Sequence, residues 1–198
     1  MSEPRIKTSD FLTNPSQELK GVIEALPEDA RKALLGEYVE ISRKAQLAAG
    51  ISRDPLPMFR AWATQPELFA IKVILDHYIT RKGLVDTKLK CMIAVLISEK
   101  LACKACINFH SSSAKEMGIE ERTIEKIKRF EDNKGDWPPR ERAALEYAIK
   151  VNFDHNRMVG KDTESLRAVG FSDPQIMELT LAALTYAEYN RFNSALGI

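Results

Sequence analysis

From Asn14 to the end of the 198-residue chain, apolar residues recur every three or four positions, in runs stopped by proline or glycine. That spacing is the signature of helices lying with one face on a core. No segment alternates apolar and polar residues between turn signals, so strands are not expected. The punctuation divides the chain. "NPSQELKGVIEAL" opens on a possible Asn14 cap followed by Pro15, and "PEDARKALLGEYVEISRKAQLAAG" closes on Gly50. "PMFRAWATQ" and "PELFAIKVILDHYIT" are split at Pro66. The long run "LVDTKLKCMIAVLISEKLACKACINFHSSSAKEMG" has Asp86 as a cap candidate and Gly118 at its other end. One helix over that span would be long for a globular protein, so a break is expected near Lys100 to Cys103, although no glycine or proline marks it. In the last third, Ser172 and Gln175 have capping-box spacing, with Pro174 in the first turn. The reading is all-α, with about eight to ten helices.

"ISRDPLP", residues 51–57, carries two prolines and is the best candidate boundary. It separates an N-terminal helical extension, residues 1–53, from a helical domain over residues 54–198. The extension could cap the bundle, cover the site or extend an interface. The 29 basic and 28 acidic residues leave a net charge of +1, so nothing in the total points to nucleic acid or an anionic membrane as a partner. The amino terminus has neither the apolar stretch nor the small-residue cleavage pattern of a secretory signal, and no run approaches the ~20 apolar residues that span a bilayer. A cytoplasmic protein is expected, in which the three cysteines are free, catalytic or metal-bound rather than structurally paired.

Two of those cysteines and one of the three histidines gather in "SEKLACKACINFHSSS". At about 100° per residue, Cys106 and His110 fall within roughly 60° of Cys103 on a helix, and Glu99, four residues earlier, falls in the same arc. One stripe would carry a carboxylate, two thiols and an imidazole. A dithiol that cycles with a disulfide needs two sulfurs within bonding reach and some thiolate at neutral pH. Spacing of i, i+3 at a helix start offers the first, and the positive end of the helix dipole favours the second, most directly at Cys103. His110 could take a proton and pass it to Glu99 or water. Two other readings stay open. Either thiol could simply be core, or the three residues could belong to a zinc site. The rise of about 10 Å between Cys103 and His110 strains the zinc reading, and no second CxxC or CxxH supplies further ligands.

The motif C-x-x-C-x-x-x-H on Cys103, Cys106 and His110 resembles that of the carboxymuconolactone decarboxylase-like family, in its AhpD-like alkylhydroperoxidase branch. "PELFAIKVILDHYI" upstream, and "RERAALEYAIKV" and "ESLRAVGFSDPQIMELTLAALTYAEYNRFNSALGI" downstream, extend the resemblance over roughly residues 54–198. It implies an AhpD-like helical bundle that assembles as trimers or hexamers, with dimers possible. It also implies reduction of a hydroperoxide without metal or organic cofactor, at the expense of an unidentified thiol or dithiol donor. Cys106 takes the peroxide-attacking part by resemblance and Cys103 the resolving part. The glutamate that relatives carry twelve residues before the first cysteine is here Cys91, so Glu99 becomes the candidate acid, and Cys91, inside "CMIAVLI", reads as core. A cysteine-independent decarboxylase-type enzyme and a zinc-binding non-enzymatic protein are the alternative functions. His77 and His155 lack ligand-spaced partners. Tyr186, Tyr189 and Phe192 read as core or interface, as do Trp62 and Phe69.

Overall fold

The computed structural model describes residues 5–50 and 55–198, and among them every regular element is helical. The N-terminal part holds α1 (Gln17–Ala25), α2 (Glu28–Lys32) and α3 (Tyr38–Ala48), with a π-helical turn at Ala33–Glu37 joining the last two into one rod. Then follow α4 (Pro57–Trp62), α5 (Pro66–Arg81), α6 (Thr87–Lys100), α7 (Lys104–Glu116), α8 (Glu121–Lys128), α9 (Pro139–Phe153), α10 (Gly160–Ala168) and α11 (Asp173–Leu196). With α2 and α3 counted as one rod, the number of helices meets the upper end of the expectation.

Local chemistry accounts for most of the boundaries. Ser16, two residues beyond the expected Asn14, caps α1 by accepting the Leu19 N–H at 3.2 Å. The Asp86 carboxylate accepts the Leu89 N–H at 3.1 Å and starts α6, as its position before "TKLK" suggested. Ser172 and Gln175 form the expected box at the head of α11. Gly118 and Gly50 adopt positive φ just after α7 and α3.

α6 is the central rod. Every residue from Leu89 to Ser98 is buried, because α7, α8, α9 and α11 surround it. Burying each of its large apolar side chains contributes about 1.5–3 kcal/mol. Lys90 is the one charged residue in that run, and its ammonium is paired with Glu178 of α11 at 2.9 Å and donates to the Lys82 carbonyl. The same Glu178 carboxylate accepts the N–H groups of Leu84 and Val85, so the turn folds tightly over it. Gly83, at φ +88°, is required there, since a Cβ would collide with that carboxylate.

The N-terminal helices share the core rather than forming their own. Phe11 stacks on Phe69 of α5 with ring centroids 5.3 Å apart, Leu19 and Leu34 are fully buried, and α3 lies along α7. The division expected between residues 53 and 54 lies outside the described residues. Among the described residues, no helix is long and apolar enough to cross a membrane.

Candidate active site

α6 and α7 are separated by a three-residue turn, where length alone suggested a break. The N–H groups of Leu101 and Ala102 bond back to Ile97 and Glu99, and that of Cys103 bonds to Ser98 at 3.2 Å. The turn closes because Ala102 takes φ +52°, a left-handed conformation that a residue with a Cβ adopts at a cost of about 1–2 kcal/mol. Strain of this kind is tolerated where the surrounding structure demands it, often beside a functional site. Here it turns Cys103 into the N-cap position of α7 and places Cys106 in the first turn.

Cys103 and Cys106 are joined in a disulfide, with their Cα atoms 5.3 Å apart, and both are buried. Both sulfurs thus stand at the positive end of the α7 dipole, which favours thiolate once the bond is reduced. Asn193 of α11 donates its side-chain N–H to the Cys106 sulfur at 3.4 Å. His110, further along α7, turns its ring edge toward Tyr186, with centroids 5.3 Å apart. Burial, helped by the Arg81 charge, pushes this imidazole down to about 3, so at neutral pH it is uncharged.

These groups line one cavity of about 380 Å³. α3 contributes Tyr38, Ser42, Ala45 and Gln46, while Phe59 and Phe109 add aromatic walls. Tyr186 and Tyr189, expected as core or interface, are core residues that also face this space, whereas Phe192 packs on Trp62. Arg81 lines it too, held by Glu37 at 2.9 Å and Ser113 at 3.3 Å, with its guanidinium over the Tyr38 ring.

Glu99 does not share the stripe expected of it. It belongs to the last turn of α6, before the break, and is absent from the cavity lining. The face argument assumed a helix continuous from Glu99 to His110, and the left-handed Ala102 interrupts it. Cys91 is core as expected, yet also touches the cavity, its thiol 3.7 Å from the His110 carbonyl. Burial pushes that thiol up to about 11, against the hydrogen bond to Ser113, so it stays protonated.

The carboxylate in the cavity is one that sequence reasoning passed over. Asp76 on α5 is 6% exposed, and burial pushes its pKa up to about 6, against the opposing influence of the Tyr189 phenol, the Arg81 charge and the Tyr38 phenol. Its signal in the sequence was an acidic residue at helical spacing from Phe69 and Val73, on the face that α5 buries. Of the other histidines, His77 lies 3.6 Å from Asp29 and His155 is exposed. Among the described residues, no group of three or more His, Cys, Asp or Glu side chains is arranged to hold a metal ion.

Residues 66–150, the stretch that carries α5, α6, α7 and all three cysteines, match the model of the carboxymuconolactone decarboxylase family. Among curated proteins, the uncharacterized protein YdfG of Bacillus subtilis strain 168 is 25% identical over 133 residues, 67% of this chain and 88% of that protein. Two solved structures share the fold. One is an uncharacterized peroxidase-related protein with an alkylhydroperoxidase AhpD core from Ralstonia eutropha JMP134, with a TM-score of 0.69 and 22% identity over 98% of this chain and 90% of its own. The other is an uncharacterized peroxidase-related protein from Silicibacter sp. TM1040, with a TM-score of 0.67 and 21% identity over 100% and 94%. The chain therefore has the AhpD-like helical fold of these structures, as the motif implied.

Proposed function

We propose that the protein is a cytoplasmic dithiol peroxidase that reduces organic hydroperoxides through Cys103 and Cys106. The observation that carries this reading is the joined pair at the head of α7, opening on a cavity beside an uncharged histidine. The Cys106 thiolate attacks a peroxide oxygen, breaking the O–O bond to give a sulfenic acid and an alkoxide, which takes a proton to become the alcohol. Cys103 then displaces water from the sulfenic acid and forms the disulfide. Two thiols of a reductant restore the dithiol by exchange. His110, uncharged, passes on the proton that Cys106 gives up and does not keep it. Asn193, at 3.4 Å, steadies the same sulfur as an anion.

The cavity size supports a substrate larger than hydrogen peroxide. A water-sized molecule occupies ~30 Å³, so a space of about 380 Å³ with aromatic and aliphatic walls suits an organic body behind the O–O bond. Self-association, implied by the resemblance, has a surface available. α5 exposes Leu68, Ile71, Leu75 and Tyr78 at helical spacing, and the adjacent α11 exposes Met177, Leu181 and Leu184. Sedimentation of the purified protein tests it: trimers or hexamers are expected, and a lone protomer at high concentration would remove the idea.

Thiol titration tests the chemistry. Reduced protein should lose two thiols per chain on adding one equivalent of cumene hydroperoxide, with mass spectrometry locating the new bond at Cys103–Cys106 and Cys91 still free. Unchanged thiols after an excess of hydroperoxide would defeat the reading.

A further inference from the structure

Asp76 calls for an explanation that folding does not supply. Among the described residues, no lysine or arginine forms an ion pair with it. A carboxyl taken out of water without a paired charge costs several kcal/mol, and an apolar side chain would fill the same place on α5 more favourably. Yet it stands on the wall of the cavity that holds Cys103, Cys106 and His110. Its surroundings come from three helices. The phenols of Tyr189 of α11 and Tyr38 of α3 act on it from across the cavity, the first with no other hydrogen-bond partner and the second bonded to Thr80 at 3.2 Å, while Arg81 and Lys72 act on it as charges from its own helix. The Tyr186 phenol feels its charge as well. From α6 the titratable group in the cavity is the Cys91 thiol, which burial keeps protonated. Tyr186 bridges the two halves of the site, since its ring also meets that of His110.

We propose that Asp76 is the proton-exchanging carboxyl of this site, acting through His110 and the cavity, in the place for which Glu99 was the sequence candidate. The inference rests on the dithiol reading. The proton balance closes on it. When Cys106 ionises, its proton passes to His110 and on to the Asp76 carboxylate. When the O–O bond breaks, the same proton returns to the alkoxide and leaves as alcohol. The second step releases water and needs no net proton. Asp76 touches no sulfur, so it is a positioning residue for the proton rather than a catalytic residue. Burial sets its proton affinity near neutrality, where a group that must both take and give a proton works best.

The test compares wild type, Asp76→Asn, Asp76→Glu and Glu99→Gln in two assays. The first follows alkylation of Cys106 in the reduced protein by iodoacetamide across pH. Wild type should lose reactivity as pH falls through about 6, the range in which Asp76 takes up its proton. Asp76→Asn should lose that limb, Asp76→Glu should keep a displaced one, and Glu99→Gln should match wild type. The second assay is turnover with cumene hydroperoxide, where Asp76→Asn should lower kcat/KM by about ten- to a hundredfold. An Asp76→Asn protein with the wild-type limb and the wild-type rate would overturn the proposal. So would loss of the limb in Glu99→Gln. Should Asp76→Asn fail to fold, Tyr189→Phe gives a second route. It removes a phenol that holds the carboxyl down, so the limb should move to higher pH, and an unmoved limb counts against Asp76. Wild type that shows the limb but consumes no hydroperoxide would defeat the peroxidase reading and leave the role of Asp76 standing.

Discussion

The α6–α7 hairpin and the α3 rod meet at the same cavity but are buried in different ways. α6 is covered on every side, and the turn and helix that follow it hold Cys103 and Cys106, within the stretch that matches the family model. α3 buries one face only, with Leu47 82% exposed on the other, and it lies outside that stretch. What α3 gives to the site is wall: Tyr38, Ser42, Ala45 and Gln46. The contrast teaches that reactivity and shape are assigned to separate parts of this molecule. A change in the hairpin should alter whether the reaction occurs, and a change in α3 should alter what it occurs on.

The largest expected effect falls on the hairpin. Cys106→Ser should abolish peroxide turnover while leaving the helical circular dichroism spectrum intact, and wild-type turnover in that variant would break the contrast at once. Next comes a test of whether the N-terminal part belongs to the cooperative unit. Leu34 is fully buried in the π-helical turn ahead of α3, so Leu34→Ala should cost about 2–5 kcal/mol in urea unfolding, in a single transition. A loss below ~1 kcal/mol, or a separate early transition, would make that part a loosely held cover.

Asp76 couples function to stability, and the sign follows from its environment. Its carboxyl is raised from 3.8 to about 6 in the fold, so the folded state takes up this proton first and gains stability as pH falls from 6 toward 4. His110 runs the other way. Lowered from 6.5 to about 3, it withdraws stability over the same descent, because the unfolded chain binds that proton first. Asp76→Asn should therefore be more stable than wild type at pH 7, by up to about 3 kcal/mol, with the advantage closing toward pH 4. Chemical denaturation at both pH values measures it. Equal stability at pH 7 would mean that the buried carboxylate carries no penalty.

Ala45→Trp sharpens the contrast from the α3 side. By filling the cavity it should lower kcat/KM for cumene hydroperoxide by about tenfold and leave hydrogen peroxide within about twofold. Equal losses on both substrates would place α3 in the chemistry after all. The smallest effect is at the turn. Ala102→Gly relieves a left-handed conformation and should stabilise the protein by about 1 kcal/mol or less in the same unfolding assay.

Much of this frame was legible from residues a turn apart. Asp86, Ser172 with Gln175, and Gly118 act on their own neighbours, so spacing was enough to place them. Cys103, Cys106 and His110 were legible for the same reason, since all three lie on one helix or at its cap. Glu99 was misplaced because spacing assumes an unbroken helix, and the break depends on an alanine in a conformation that its identity does not advertise. Asn193 bonds to a sulfur 87 residues away, and Asp76 reaches the cavity from another helix. Such partners are set by how rods pack, which no short window of sequence contains.

Cys91 carries a final consequence. A thiol held near 11 and backed by the peptide of its neighbour presents almost no nucleophilic sulfur to an oxidant. The third sulfur is thereby insulated from the other two, and under the proposed chemistry each chain would exchange two electrons per cycle. Prolonged oxidant exposure should thus leave the protein with a fixed electron capacity and no scrambled disulfides, a form that a reductant can return to use in one step.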